Sequence, residues 1–451
     1  MAKKKQIELT IEEKLQNALV PKEEQPYKIP SNWCWTRWGN LSNNIQYGVN
    51  TPATSEGNAR LVRISDIQEN KIIWDKVPYC NIDDKLVEQY LIKENDILFA
   101  RTGGTVGKSV MAIDVISNAV FAGYLIRSNY SKKLNGKYLK YFMESELYWT
   151  QLKIGTTATA QPNCNGKTLG KMVFPLSPIN EQQRIVNRIE SLFAKLDRAK
   201  ELIENTLAQF EQNKMAILHK AFTGELTAKW RKENNIDLSS WEKIKLGKVL
   251  LPMQTKKPTG QFFRYIDIDA IDNKRQIVKA PKLILTEKAP SRASRGVETG
   301  NILFSMVRPY LKNIAQIDSD LSDCIASTGF YVCRCKPELN SRFLYYLFIF
   351  DKTIDYLMQF MKGDNSPSIR KDDLLNMKID LPTIEEQQEI VNILDNLLAK
   401  YNKIKNLEQQ LEKIELLKKA ILAKAFRGEL GTNNPDEESA ENLLKEILAE
   451  K

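Results

Sequence analysis

Histidine is nearly absent from this chain: a single residue, His219, stands among 451. The six cysteines (Cys34, Cys80, Cys164, Cys324, Cys333 and Cys335) are scattered, with no paired CxxC. A structural zinc site needs four ligands at close spacing, so this inventory argues against one and for buried free thiols in a reducing compartment. Long apolar runs are missing too, since none approaches the ~18 residues of a membrane span. The opening Met1-Ala2-Lys3-Lys4-Lys5 lacks the apolar core of a signal peptide. A cytoplasmic location without membrane contact is therefore expected. Catalytic signatures are equally scarce. No Asn-Pro-Pro-Phe-type adenine-methylation motif follows a predicted strand, no glycine-rich cofactor loop opens a helix, and spacing singles out no pair of acidic residues.

One phosphate-loop candidate exists, and it is incomplete. Thr102-Gly103-Gly104-Thr105-Val106-Gly107-Lys108-Ser109 follows a predicted strand, but Thr102 stands where the P-loop pattern requires its first glycine. The corresponding stretch of the second half, Ser305-Met306-Val307-Arg308-Pro309-Tyr310, has no glycine and carries a proline. A nucleotide cradle needs consecutive free N–H groups, so only one copy could serve. An ATP-dependent enzyme using residues 102–109 is one rival reading. A coiled-coil adaptor that binds proteins rather than DNA is another. His219 falls at a helix end, where a capping or surface role is expected.

What the chain has in excess is positive charge and self-similarity. Lys and Arg outnumber Asp and Glu by 66 to 56, a formal charge of +10, which suits a polyanionic partner through counterion release. The stretch Glu181-Gln182-Gln183-Arg184-Ile185-Val186-Asn187 returns as Glu386-Gln387-Gln388-Glu389-Ile390-Val391-Asn392, a shift of 386 − 181 = 205. Ala216 to Leu226 returns as Ala420 to Leu430, a shift of 204, with nine of eleven positions identical. The blocks before each motif match faintly: Trp33…Gly39 with Trp241…Gly247, Asp96-Ile97-Leu98-Phe99 with Asn301-Ile302-Leu303-Phe304, and Phe121-Ala122-Gly123-Tyr124 with Ser327-Thr328-Gly329-Phe330. A period this long exceeds the ~50 residues of a solenoid unit. It implies two domain-sized halves related by a pseudo-twofold axis, with one duplicated element kept and another allowed to diverge.

The kept elements read as long helices. Ile185, Ile189, Leu192, Leu196, Ile203 and Phe210 form one heptad seam, and Ile390, Leu394, Leu397, Ile404, Leu411 and Ile414 form another. Each helix of about 40 residues spans ~60 Å at 1.5 Å per residue. Neither seam is expected to face water, and an antiparallel pair with one domain at each end is the natural geometry. Gly224 and Gly428 are placed to end the helices in the left-handed conformation. The diverged blocks read as strand-rich α+β domains. Predicted strands cover Arg60–Ile64, Asp96–Phe99 and Val120–Ile126, turns fall at Gly103-Gly104 and Asn135-Gly136, and a helix covers Tyr138–Tyr148. Thr10 and Glu13 form a capping box in a polar arm. The acidic end, through Leu443, Leu444, Ile447 and Leu448, has amphipathic spacing that suits docking on that arm or on a partner subunit.

With their flanks, Pro178 to Val186 and Ile384 to Val391 resemble the start of the spacer helices in specificity subunits of type I restriction–modification enzymes. Lys220 to Leu226 resembles their end. Ile97 to Gly103 and Gly300 to Ser305 resemble the strand and loop inside that family's target recognition domains. Its Thr-Gln-Pro element appears as Ala160-Gln161-Pro162-Asn163 and, degraded, as Asn365-Ser366-Pro367-Ser368. The resemblance covers nearly the whole chain. It implies a non-catalytic subunit, with no cofactor of its own, whose two target recognition domains each read half of a split double-stranded DNA sequence. Two modification subunits would dock on the coiled coil and methylate adenine with S-adenosylmethionine, and two restriction subunits using ATP and Mg can join them.

The expected fold is α+β: two pseudo-twofold-related α/β target recognition domains separated by a long antiparallel two-helix coiled coil. The expected boundaries are an arm at 1–28, domain one at 29–178, spacer helix one at 179–226, domain two at 227–382, spacer helix two at 383–430 and an acidic tail at 431–451. Since Arg and Lys suit guanine and Asn and Gln suit adenine, the candidate DNA contacts in the first half are Arg63, Arg101, Lys108, Gln161, Asn163, Asn165 and Lys167. In the second half they are Arg264, Arg308, Lys312, Arg370 and Lys371. A basic run containing Lys279, Lys282, Lys288, Arg292 and Arg295 is expected on phosphate. The loop that carries Arg101 and Lys108 has a counterpart in the second half that is expected to offer Arg308 and Lys312.

Overall fold

The computed structural model describes residues 9–156, 163–402 and 405–451. The chain divides into two compact units, Met1–Leu202 with Gln409–Lys451, and Ile203–Glu408. In the first unit the apolar run at Ile97–Ala100 is fully buried because both faces of that strand are covered. Side chains alternate across a strand, so Ile97 and Phe99 enter a core with Tyr138, Phe142 and Phe174, while Leu98 and Ala100 enter another with Val62 and Phe121. The strand lies third in an antiparallel sheet ordered Ser42–Tyr47, Leu125–Tyr130, Ile97–Ala100, Ser109–Met111. A second sheet holds Tyr79–Cys80, Ala59–Val62 and Ala119–Phe121, the last two parallel. Cys34–Arg37 and Val173–Leu176 pair where the chain enters and leaves the unit.

The second unit repeats this order. Its first sheet runs Leu250–Leu251, Phe330–Cys335, Ile302–Ser305, Ile314–Gln316. Ile302 and Phe304 face one core and Leu303 the other. The second sheet, Lys282–Leu285, Phe262–Ile266 and Ile325–Ser327, gains a fourth strand at Ala293–Gly296. Helix Asp84–Tyr90 holds that place in the first unit's chain order. The basic run from Lys279 to Arg295 thus spans one of the segments where the two copies differ in fold.

Two expected elements are each split. Val120–Ile126 is not one strand: Ala119–Phe121 and Leu125–Tyr130 belong to different sheets. Gly123 allows the passage, because a Cβ there would lie 2.0 Å from Asn50 Oδ1. Tyr138–Tyr148 is two helices, Gly136–Phe142 and Glu146–Gly155, since Ser145 accepts from the Tyr148 N–H (3.3 Å) and starts the second.

The first long helix is Ile179–Phe222, and the second is described as Ile384–Asn402 and Lys405–Arg427. Within the first unit Asp197 pairs with Lys418 (2.5 Å) and Lys200 with Glu415 (3.4 Å). Both pairs of numbers sum to 615, so the helices run antiparallel. Within the second unit Leu218 and Ala221 share a core with Ile390 and Leu394. Gly224 and Gly428 are left-handed, with φ of +80° and +74°.

The seams are less dry than expected. Ile185, Ile189, Ile203, Ile390, Leu394 and Ile414 are buried, whereas Leu192, Leu196, Phe210, Leu397 and Leu411 are half-buried; Ile404 lies outside the described residues. A knob facing a single partner helix keeps an open flank, and full burial comes where the helix also meets its unit's core, as at Ile185 and Ile189 beside Phe174 and Phe426.

The helix-start motif is a latch, and this explains its double occurrence. Glu181, fully buried, accepts from Trp33 Nε1 (2.7 Å) and Asn433 Nδ2 (2.9 Å). Glu386 does the same for Trp241 Nε1 (2.9 Å) and Thr227 Oγ1 (2.6 Å), and forms an ion pair with buried Arg231. Gln182 and Gln387 accept from the backbone N–H of Asn135 (3.0 Å) and Asn340 (2.8 Å), and Gln183 and Gln388 accept from the same two side chains (2.8 and 2.9 Å). Asn135 and Asn340 in turn cap a helix of their domains. Each Glu-Gln-Gln therefore ties a long helix to the domain before it and to the segment after a Gly-Glu-Leu.

The arm helix and the C-terminal helix pack on each other inside the first unit. Leu444, Ile447 and Leu448 of helix Ala440–Ala449 share a core with Leu15 and Ala18 of helix Ile11–Ala18. Arg184 grips Glu437 with two bonds (2.7 and 2.8 Å). The expected box is present, with the Glu13 N–H donating to Thr10 Oγ1 (3.3 Å). Five thiols are buried and Cys335 is half-buried. Burial pushes the Cys164 and Cys335 thiols up to about 12 and Cys324 to about 11, so they stay protonated and inert at neutral pH. His219 is exposed, edge-on to the Phe350 ring at 6.2 Å. Among the described residues no helix is long and apolar enough to cross a membrane, and no cluster of residues could hold a metal ion.

Candidate nucleic-acid interface

The loop after strand Ile97–Ala100 gathers most of the first unit's candidate residues. The Arg101 N–H donates to the Tyr124 carbonyl (3.1 Å), and the Cys164 N–H donates to the Arg101 carbonyl (2.8 Å). Thr102 bridges Asn163. The Arg101 guanidinium lies 5.0 Å from the Tyr47 ring centre, and the Tyr47 hydroxyl accepts from the Gly166 N–H (2.8 Å). Arg101 and the start of helix Gly166–Lys171 are thereby joined through Tyr47, and Asn163 is held beside them by its bridge to Thr102. Lys108, Asn163, Asn165 and Lys167 are exposed. Asn165 also caps that helix, accepting from the Thr168 N–H (2.9 Å). Gln161 lies outside the described residues. Arg63 is elsewhere, its guanidinium committed to buried Asp66 (2.9 and 3.1 Å).

The amides at the end of the near-P-loop, where the pattern's Gly-Lys-Ser would cradle a phosphate, are engaged within the turn. The N–H groups of Val106, Gly107 and Lys108 donate to the carbonyls of Gly103, Ala100 and Thr105 at 3.1, 2.8 and 3.0 Å. Gly103 and Gly107 serve the turn itself, with φ of +78° and +90°. Gly107→Ala should destabilise the chain by about 2–3 kcal/mol, because its Cβ would also meet Leu152 Cδ2 at 2.0 Å. Gly104→Ala, with nothing within 4 Å, should change stability by less than ~0.5 kcal/mol in the same urea titration. Equal effects would remove the conformational role of Gly107.

The second unit keeps the scaffold and changes its side chains. The Met306 N–H donates to the Gly329 carbonyl (2.9 Å), the Ile369 N–H to the Met306 carbonyl (3.0 Å), and Val307 bridges Ser368. Met306 therefore occupies the place of Arg101. The bonds Ala100 N–H to Lys108 carbonyl (2.8 Å) and Ser305 N–H to Asn313 carbonyl (3.1 Å) set Asn313 opposite Lys108. Arg308 and Lys312 fall opposite Gly103 and Gly107, and they keep the left-handed backbone at φ +49° and +50°. The sequence match by glycine, Gly123 to Gly329, also slips by one: the ladder sets Tyr124 opposite Gly329 and Leu125 opposite Phe330.

Around this shared frame the second unit offers exposed Arg308, Arg370 and Lys371. Arg308 donates to the Asn365 carbonyl (2.8 Å), and Lys371 opens helix Lys371–Leu375. Lys312 is turned inward to Asp351 and the Ile349 carbonyl. Arg264 is held by Asp323 (2.9 Å) and Lys282 by Asp269 (2.6 Å). Lys279, Lys288 and Arg292 are exposed, and Arg295 is half-buried with its Nε unpartnered. Tyr124 (65%) and Tyr310 (43%), which the sequence did not single out, are exposed beside these loops. A lone aromatic next to a turn glycine or a turn proline was the available signal.

Comparison with known proteins gives a consistent result. The family model for the type I restriction modification DNA specificity domain matches residues 54–209 and again 241–416. The EcoKI specificity subunit of Escherichia coli K12 is 24% identical over 416 residues, covering 87% of this chain and 88% of its own. The Escherichia coli EcoBI specificity subunit is 28% identical over 355 residues, covering 70% and 72%. The HsdS subunit from Thermoanaerobacter tengcongensis aligns with a TM-score of 0.53 at 21% identity, over 90% of this chain and 99% of that one. A chain from a structural study of complex assembly and conformational transition of the type I R-M system aligns at 0.67, with 21% identity, over 90% and 100%.

Proposed function

Because the chain belongs to the type I restriction–modification DNA-specificity family, we propose that its two units read the two parts of a split DNA target while the chemistry resides on other subunits. The chain is a specificity subunit and not itself an enzyme. Such subunits bind DNA and assemble with the other subunits of their system. In our reading two modification subunits dock on the paired helices and methylate adenine with S-adenosylmethionine. Two restriction subunits, with ATP and Mg, complete the nuclease.

One observation carries the proposal of two readers. Equivalent backbone positions, fixed by equivalent hydrogen bonds, hold Arg101, Lys108 and Tyr124 in one unit and Met306, Asn313 and Gly329 in the other. A constant frame with exchanged polar side chains is what two different half-sites require, since base edges are read by side chains of matching donor and acceptor pattern. An adaptor reading gives no reason for the exchange at this loop.

Replacing Arg101 by alanine should weaken recognition of one position in one half-site by ~1–3 kcal/mol and leave the other half-site unchanged. Lys108→Ala should instead weaken binding to all sequences alike and lower the salt slope by about one. Titrating the assembled modification complex against half-site variants at several salt concentrations separates the two. If Arg101→Ala disturbs both half-sites equally, the assignment of one reader per unit fails.

A further inference from the structure

The strand pair that closes each unit is covered differently in the two. In the first unit the arm lies over strand Cys34–Arg37: the Val20 N–H donates to the Trp35 carbonyl (2.9 Å), and Leu19 bridges Thr36. Tyr27 stands edge-on to Trp35 at 5.0 Å and donates to the Phe426 carbonyl (3.0 Å). Val20, Tyr27, Val173 and Leu147 pack together with Trp35 as a small core.

The second unit lacks such a cover among the described residues. The ladders set Lys243 in the place of Trp35 and Lys378 in that of Val173. Lys352, second in helix Asp351–Met358, matches Leu147, second in helix Glu146–Gly155. Three apolar residues under the arm have thus become three lysines, all exposed and, among the described residues, none in an ion pair within 4 Å, while Asp380 takes the place of Pro175 opposite Lys243 and leaves the rim positive by two. Between the lysines lies an open groove of about 680 Å³ with an apolar floor of Phe222, Leu347, Phe350, Met377 and Ile379. Among the described residues strand Glu242–Lys245 pairs only with Lys378–Leu381.

We propose that this groove holds an extended acidic segment of another protein subunit of the assembly. The segment adds to strand Glu242–Lys245 as Leu19 and Val20 add to strand Cys34–Arg37, and it sets an aromatic ring on the floor as Tyr27 does. Its carboxylates face Lys243, Lys352 and Lys378. Strand addition supplies main-chain hydrogen bonds and flanking pockets supply specificity. The lysine rim steers an oppositely charged partner and repels a basic one, and lysine on a free edge discourages pairing with a second copy of this chain. The apolar floor favours a peptide over DNA, whose phosphates gain nothing from it. The inference rests on the reading of this chain as one subunit of an assembly.

The test uses the full chain co-purified with its modification subunit, carrying p-benzoylphenylalanine at Lys352. Irradiation should cross-link position 352 to the modification subunit, at a stretch that peptide mapping shows to hold at least two carboxylates and an aromatic residue. The double change Lys243→Glu, Lys378→Glu should cut that yield at least tenfold. The same photoprobe at Leu147 should cross-link to the chain's own arm. Absence of a protein cross-link at 352, cross-links to DNA only, a mapped stretch without carboxylates, or a yield indifferent to the charge reversal would each overturn the proposal. DNA binding by the same complex is titrated in parallel. Intact two-part recognition without the cross-link sinks the docking groove alone, and lost recognition sinks the functional reading beneath it.

Discussion

Replacing Arg231 by leucine should lower the stability of the second unit by about 3–5 kcal/mol, the usual consequence of leaving a buried charge without its partner. Glu386 is fully buried and Arg231 is 6% exposed. The guanidinium reaches Glu386, Thr227 Oγ1 (3.0 Å) and the Gly224 carbonyl, so its loss removes the only cation on the Glu386 carboxylate among the described residues, leaving it the neutral donors Trp241 and Thr227. At ~2–4 °C per kcal/mol for a unit of this size, the second unit should melt roughly 6–20 °C lower. The equivalent latch in the first unit uses neutral donors, Trp33, Asn433 and Thr432, on Glu181. Asn433→Ala should therefore cost only about 1–3 kcal/mol. Adding Glu386→Gln to Arg231→Leu removes the stranded charge and should restore most of the loss. Calorimetry with the two units resolved decides it: a melting point for Arg231→Leu within a degree or two of the parent would show that the carboxylate needs no cation.

The latch also marks what could be read from sequence. Glu181-Gln182-Gln183 and its copy announced a repeated helix start, and the heptads gave two long helices, because both patterns are local. Their reason for being kept was not legible, since the partners Asn135, Asn340, Trp33 and Trp241 lie 47 to 148 residues away. The strands at Ile97 and Ile302 were visible because a doubly covered strand is a continuous apolar run. The split at Gly123 was invisible, as it depends on Asn50 from another loop. The surroundings of the candidate side chains were less legible: Arg63, Arg264 and Lys312 each meet a carboxylate that the sequence did not single out. The position-by-position match within the two loops was hidden for a backbone reason: glycine in one copy and arginine or lysine in the other satisfy the same left-handed φ.

Lengthening both long helices by one heptad should widen the gap between the two half-sites and leave their sequences unchanged. The pairs Asp197–Lys418 and Lys200–Glu415 fix a register in which residue numbers sum to 615, so the bond Leu207–Ala208 faces the bond Leu407–Glu408 on extension of that register. Seven residues inserted at each bond keep the a and d positions in phase. They add ~10.5 Å at 1.5 Å per residue, comparable to ~3 base pairs at 3.4 Å each. Supercoiling, tilt of the helices across the groove and bending of the DNA reduce the correspondence, so the unread gap should grow by roughly one to three base pairs. Four residues inserted in one helix alone rotate its seam away from the partner and should cost assembly. Sequencing of methylated adenines in cells carrying each variant reads the outcome directly. Altered half-sites with an unaltered gap would show that the helices do not space the readers. A wider gap with the same half-sites would separate the two roles in one experiment, because the domains are untouched and only the length of the paired helices has changed.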